Sequence, residues 1–176
     1  MQELEIIKNF EELMENQNLR GKIVSIAHVR QLEQEIENRH QKKLLDEELY
    51  RAYLASFDFQ WQKKLSEARS LIIVTVPQPQ VRVTFTRKGQ SWSVVIPPTY
   101  ALSTDAHAAG LLAAYFGPRG YKLQKIRLPE KLLAVRSGLA RYGKNNITYV
   151  AGMGSFHRPV VFISDVPCAE DNWREP

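Results

Sequence analysis

The chain has a single cysteine, Cys168, among 176 residues. A lone thiol forms no intrachain disulfide, and by itself it holds no iron–sulfur cluster, which takes about four thiolates. Long apolar runs are also missing. The longest, Leu71 to Val76, falls far short of the roughly 18 to 20 residues that cross a bilayer. A secretory leader needs a basic start and an apolar stretch, but Met1-Gln2-Glu3-Leu4-Glu5 is acidic. Residence in the cytoplasm is the resulting expectation. Internal repeats and low-complexity segments are absent, and both common nucleotide fingerprints fail. Gly138 to Gly143 has phosphate-loop spacing and Lys144 follows, but Asn145 stands where Ser or Thr must meet magnesium. Ala140 occupies the second glycine of a G-x-G-x-x-G pattern. His28, His40 and His107 show no metal-ligand spacing.

What is present describes an ordinary globular chain of one domain, with 44% hydrophobic and 24% charged residues. Its net charge of +5 is unevenly placed. Residues 1–116 balance, fourteen basic against fourteen acidic, so the whole surplus lies in residues 117–176. An excess of that kind suits an anionic ligand through field focusing, or forms a solvated basic face.

Leu4, Ile7, Phe10 and Leu13 predict an amphipathic helix over 3–18, ended by Gly21. Ile23 to Ile26 fits a short strand. Gln31 to Asp46 and then Glu47 to Leu65 read as helical, the second with an apolar stripe of Leu49, Tyr53, Leu54 and Phe57. Leu71 to Val76, β-branched and closed by Pro77 and Pro79, predicts a central strand buried on both faces. Val81 to Thr86 and Ser91 to Ile96 alternate about an Arg87-Lys88-Gly89-Gln90 turn and predict a hairpin ended by Pro97-Pro98. A helix capped by Ser103 or Asp105 should run from His107 to Phe116, and a strand should lie near Lys122 to Ile126. A further helix over Glu130 to Ser137 should start at Pro129 and stop at Gly138. Ile147 to Val150 and Val160 to Ile163 look like strands joined by a Gly-rich loop. The class is α/β or α+β, a mixed sheet with flanking helices. Residues 1–65 are expected to form the helical part of one domain and 66–176 its α/β core.

The chemistry concentrates in LAVRSGLARYGKNNITYVAGMGSFHRPVVFISDVP, Leu133 to Pro167, which holds four of the nine glycines. Glycines admit a ligand close to the backbone, and neighbouring amides can form an anion-binding nest. Arg136, Arg141, Lys144, Asn145, Asn146, His157 and Arg158 interleave with them and supply donors. The same composition also serves ordinary turns.

LAVRSGLARYGKNN followed by GSFHRPVVFISDVPC resembles the core of epoxyqueuosine reductases and related iron–sulfur proteins. Members carry A-x-R-S/A-G-L-G-x-x-G-K/R-N/H, then a G-S-F/W loop and a strand ending in T-D-x-P. The resemblance covers roughly residues 65–176. It implies an N-terminal α/β domain related to reductive dehalogenases, with cobalamin held over the reaction centre. A C-terminal ferredoxin-like domain with 4Fe–4S clusters would supply electrons, and the family's substrate is a modified tRNA. The cysteine-rich part would follow Cys168-Ala169-Glu170-Asp171-Asn172-Trp173, so the expectation is a chain truncated before that domain. Under this resemblance the cofactor-binding candidates are Arg136, Gly138, Lys144, Asn145, Asn146, Gly154, Ser155, His157 and Arg158, with no metal ligands assigned.

Two departures stand out. The family usually has an aspartate proton donor about a dozen residues before the motif arginine, near where this chain has Gln124, and no carboxylate lies between Asp105 and Glu130. Glutamine supplies no proton. Ala140 replaces a glycine, which crowds a close-approach site. Both point to a divergent branch with its own substrate, or to a binding or scaffold relative without cofactor and chemistry. Tyr142 and His157 are the remaining catalytic candidates, with core packing or a structural bond as their alternative roles. Arg136 could instead serve the helix dipole, and Asn145 and Asn146 could simply hold a turn.

Overall fold

The computed structural model describes residues 2–96 and 103–175. Helix α1 spans Gln2–Asn16 and leads into strand β1, Arg20–Ser25. Asn18, at φ 57°, ends the helix, with Leu19 N donating to Met14 O at 2.7 Å. That is the six-to-one closure of a left-handed C-cap. Gly21, expected as the breaker, lies inside β1. Its role is packing: a Cβ there would stand 2.6 Å from Phe10 Cζ and 2.8 Å from Met14 Cγ. The side chains of Leu4 and Ile7, like the Pro97-Pro98 stop, lie outside what is described.

Helix α2, Ala27–Gln41, is followed by a short turn α3, Glu47–Leu49, which widens into a π-turn over Tyr50–Leu54. The long helix expected to Leu65 therefore stops early. Its stripe does not form, because Leu49 and Tyr53 are more than half exposed. A 3₁₀ turn, Trp61–Lys63, leads to strand β2, Ser70–Pro77. The hairpin is β3, Val81–Arg87, and β4, Gln90–Ile96. Lys88 and Gly89 both have positive φ, the two-residue turn that matches strand twist. Then come α4, Thr104–Phe116, β5, Leu123–Lys125, and α5, Glu130–Arg136. Ser103 caps α4 without a side-chain bond. Gly138, at φ 81°, closes α5 as expected. Strands β6, Ala140–Tyr142, β7, Thr148–Val150, and β8, His157–Ser164, complete the order.

The main sheet runs β1-β2-β8-β5, every pair antiparallel, so the expected class narrows toward α+β. β2 is buried along its length except at Pro77. Its alternate residues feed two cores. Leu71 and Ile73 meet Val29 and Leu32 of α2 and Leu133 of α5. Ile72 and Val74 meet Phe10 and Met14 of α1 and Leu112 and Phe116 of α4. The sheet is thus sandwiched between helix layers, and each buried aliphatic side chain stabilises it by roughly 1.5–3 kcal/mol. β7 pairs with β6 in its own two-stranded sheet, so the Gly-rich stretch after it leads from that hairpin into β8.

Candidate functional site

The sequence motif divides between two environments. Arg136 ends α5 with its side chain withdrawn from solvent, 7% exposed, and its Nη2 donates to Glu35 Oε2 of α2 at 2.5 Å. Burial works against the Glu35 charge, but the bond and charge of Arg136 still hold its carboxyl below the usual value. Arg136 Nε is buried with no hydrogen-bond partner among the described residues. The C-terminal segment closes over this pair. Arg174 N donates to Arg136 O at 2.8 Å, and the Arg136 guanidinium sits 5.8 Å from the centroid of the Trp173 ring. Trp173 stacks on His28 at 4.0 Å and 7°, and His28 Nε2 bonds Asp171 at 2.8 Å. The Arg174 guanidinium lies 3.3 Å from where a Cβ of Gly138 would stand. Arg136 and Gly138 therefore face the segment of Trp173 and Arg174.

Five residues further, the chain opens. β6 and β7 form a hairpin whose Gly143 N donates to Ile147 O at 2.8 Å. Gly143 is required by close approach, since a Cβ would meet Tyr149 Cε2 at 2.6 Å and Asn145 Oδ1 at 2.8 Å. Lys144, Asn145 and Asn146 form the exposed tip. Asn145 Oδ1 accepts from Ile147 N at 3.2 Å, and Asn146 takes φ 58°. Both asparagines hold the turn, and Asn145 Nδ2 also donates to the Tyr149 hydroxyl at 3.4 Å, while Lys144 faces solvent. Tyr142, Ile147 and Tyr149, each 43% exposed, flank the tip, and Phe156 is 42% exposed nearby in sequence.

The loop into β8 carries Gly152 and Gly154, both at positive φ, and a Cβ at Gly154 would meet nothing within 4 Å. Ser155 is half-buried there. His157 Nδ1 lies 3.1 Å from Gly154 O, which only accepts, so that nitrogen carries the proton. Its Nε2 then accepts from Thr148 Oγ1 at 3.1 Å. Burial lowers the His157 pKa, and the ring is neutral with both nitrogens engaged. Arg158 Nε pairs with Asp105 Oδ1 of α4 at 2.9 Å, and Lys125 of β5 joins the same carboxylate. Close to these charges, Glu130 is half-buried and its carboxyl is pushed up, first by burial and then by Asp105, while Arg158 opposes. Gln124, near which the resemblance implied an aspartate, is exposed on edge strand β5. Tyr142 is a weaker acid than a free phenol, because burial raises its pKa.

One hollow, about 790 Å³, lies between α2 and residues 50–64, away from the motif hairpin. A smaller one of about 380 Å³ is lined by Phe57, Glu130, Lys131 and Tyr142. The smaller matters more here, since it joins the hairpin to the perturbed carboxyl. None of Glu35, His28, Asp171, Trp173 or Glu130 was singled out by the sequence. Partners 101 and 143 residues apart leave no periodic signal.

Flat aromatic faces beside amide and ammonium donors fit a large amphipathic group rimmed with amides, as a corrinoid is. Lys144, Asn145, Asn146, Gly154 and Ser155 are accessible to one, while Arg136 and Gly138 are covered. An iron–sulfur cluster is not matched by this donor set. The described residues contain no group of three metal-ligating side chains, and burial raises the Cys168 pKa to about 11, keeping the thiol protonated.

No family model matches the chain, and no curated protein sequence does. Its fold is like that of part of the solved epoxyqueuosine reductases. The solved epoxyqueuosine reductase from Streptococcus thermophilus matches 98% of this chain, with a TM-score of 0.58 and 15% identity. A selenomethionine-labelled epoxyqueuosine reductase matches 97% at 0.58 and 14%. An epoxyqueuosine reductase solved with a tRNA-Tyr stem loop matches 97% at 0.53 and 14%. The chain spans 48%, 49% and 48% of those chains, about half their length. At such identities the likeness is one of fold. No described helix is long and apolar enough to cross a membrane.

Proposed function

We propose that this chain is the cofactor-holding domain of an iron–sulfur oxidoreductase similar to epoxyqueuosine reductase, with a corrinoid as its cofactor and a substrate of its own. The observation that carries the reading is the likeness of fold over 98% of the chain. The exposed motif hairpin supports it. In this reading Lys144, Asn145 and Asn146 donate to the peripheral amides of the corrinoid, and Tyr142, Tyr149 and Phe156 cover its apolar surface. Gly154 and Ser155 admit its edge. His157 and Arg158 hold the loop and strand that carry them, through Thr148 and Asp105. Arg136 and Gly138 serve from behind, fixing the end of α5 from which the hairpin projects. Bound there, a corrinoid supplies a redox-active cobalt centre for reductive chemistry.

Electrons come, in this reading, from a ferredoxin-like partner domain bearing 4Fe–4S clusters, and tRNA is the macromolecular partner. The proton donor is then the open question of the site. Tyr142 is weakened as an acid, and His157 is neutral with its Nδ1 proton donated to Gly154 O. Glu130 is the better acid, because a raised carboxyl pKa keeps a proton available nearer neutral pH. It lines the same hollow as Tyr142. Gln124 favours a second reading, a binding or scaffold relative without cofactor and chemistry.

Titration with hydroxocobalamin, followed by visible spectra and calorimetry, decides between them. Measurable but modest affinity is expected, because a second domain normally completes the enclosure and preorganises the contacts. Absence of any binding would sink the corrinoid reading and leave the scaffold relative in its place.

A further inference from the structure

The β3–β4 hairpin is a ribbon with two unlike faces. Its register places Val81, Val83 and Phe85 opposite Ile96, Val94 and Trp92, so all six share one face. The other face carries Arg82, Thr84 and Thr86 opposite Val95, Ser93 and Ser91. There the hydroxyls pair across the strands, Thr84 with Ser93 and Thr86 with Ser91, each at 3.0 Å. The apolar face is not packed on the body of the protein. Phe85 is 56% exposed, Trp92 49% and Val94 50%. A two-stranded hairpin alone is marginal in water, and exposing its aromatics adds to that cost unless something covers them.

Charge identifies the kind of occupant. Arg82, Arg87 and Lys88 are exposed and form none of the ion pairs seen among the described residues. Residues 68–104 contain no aspartate or glutamate at all. In the basic surplus after Gly117, by contrast, Lys122, Lys125, Arg136 and Arg158 are already paired with Glu67, Asp105 and Glu35. Arg119, Arg127, Lys131, Arg141, Lys144 and Arg174 are in none of those pairs either. What marks the ribbon is therefore unpaired Arg87 and Lys88 at the turn beside Phe85 and Trp92, in a stretch without a carboxylate. Stacking surface with unpaired cations and no carboxylate is the chemistry of single-stranded nucleic acid, whose bases stack on aromatic rings while its phosphates take the cations. An acidic protein would use the cations but has less need of two bare rings.

We infer that the β3–β4 hairpin is a docking platform for single-stranded RNA, with bases stacked on Phe85 and Trp92 and phosphates held by Arg87, on the same face, and Lys88 at the turn. The platform leaves the same end of the main sheet as the candidate site. Pro77 is the register partner of His157, and Gln78 N donates to Phe156 O at 2.7 Å. The inference deepens the RNA part of the proposed function and needs nothing of the corrinoid.

The test is fluorescence-anisotropy binding of a labelled uridine 12-mer, a duplex of equal length and an unmodified tRNA, each over a range of salt. Single strands should bind more tightly than duplex, and Trp92→Ala or Phe85→Ala should weaken them about tenfold or more. Trp92→Phe should retain most of the affinity, and circular dichroism should show each variant folded. Replacing Arg87 and Lys88 by alanine should reduce the salt slope by about 1.4, near 0.7 per lost phosphate contact. Unchanged affinity in Trp92→Ala and Phe85→Ala overturns the platform. If tRNA still binds those variants as it binds the wild type, the tRNA reading survives without it. Equal displacement of the 12-mer by poly-glutamate would assign the surface to an acidic protein and overturn the inference as well.

Discussion

Arg136 and Lys144 stand eight residues apart in one continuous motif, yet they belong to different parts of the molecule. Arg136 is enclosed by Glu35, Trp173 and the backbone of Arg174, while Lys144 lies at the tip of an open hairpin. The difference teaches that a motif can be required for two reasons at once. Its first half fixes the end of α5 and anchors the C-terminal segment; its second half presents donors outward. Substitutions in the two halves should therefore fail in different ways.

The largest effect should come from Arg136→Met. It leaves Glu35 without its buried partner and removes the cation beside Trp173, and losses of this kind cost about 3 kcal/mol. Urea unfolding measures it. A loss no greater than that of Lys144→Ala would erase the distinction between the halves. Next is Gly143→Ala at the boundary between them. Its new Cβ would stand 2.6 Å from the Tyr149 ring, an overpacking cost of about 1–3 kcal/mol. Adding Tyr149→Ala should recover part of that loss, which a double-mutant cycle on unfolding midpoints would read directly.

Much of this was legible in the residues. The run Leu71 to Val76 announced a strand buried on both faces, and Lys88-Gly89 announced a tight hairpin, because burial and turn chemistry act locally. Pro129 and Gly138 marked α5 for the same reason. The stripe of Leu49 and Tyr53 misled, because apolar spacing does not say whether a partner surface exists. Gly21 misled differently: nothing in sequence separates a helix breaker from a glycine kept small by Phe10 and Met14. The strap of Asp171, Trp173 and Arg174 over His28 and Arg136 was invisible, since it joins opposite ends of the chain. The family resemblance located the candidate site but not the division within it.

Two groups near the site should give stability opposite dependences on pH. Burial lowers the His157 pKa from its ordinary 6.5. Between the folded value and 6.5 the unfolded chain binds a proton that the folded one refuses, so stability is full above 6.5 and declines as pH falls through that window. Glu130 is raised above 4.5, so in its window the folded chain holds the extra proton. Its contribution is full below 4.5 and is lost as pH rises through the folded value. His157→Gln should flatten the first trend. Glu130→Gln should flatten the second and stabilise the protein at neutral pH. Unfolding midpoints between about pH 4 and 8 would show both slopes, and identical profiles in the two variants would contradict the assignments.

The smallest effect on stability should belong to Lys144→Ala. The side chain is exposed at a turn whose closing bonds come from Gly143, Asn145 and Asn146, so unfolding should shift by no more than about 0.5 kcal/mol. That small shift is what makes the variant informative. Asn145→Ala removes an acceptor for Ile147 N and loosens the tip, so lost ligand affinity there would have two explanations. Lys144→Ala disturbs only what the hairpin offers to solvent. If hydroxocobalamin binds the wild-type chain and binds Lys144→Ala several-fold more weakly, while the two unfold alike, the open half of the motif is the ligand surface. Equal affinity in both would move the corrinoid away from the tip, toward the hollow lined by Phe57, Glu130 and Tyr142.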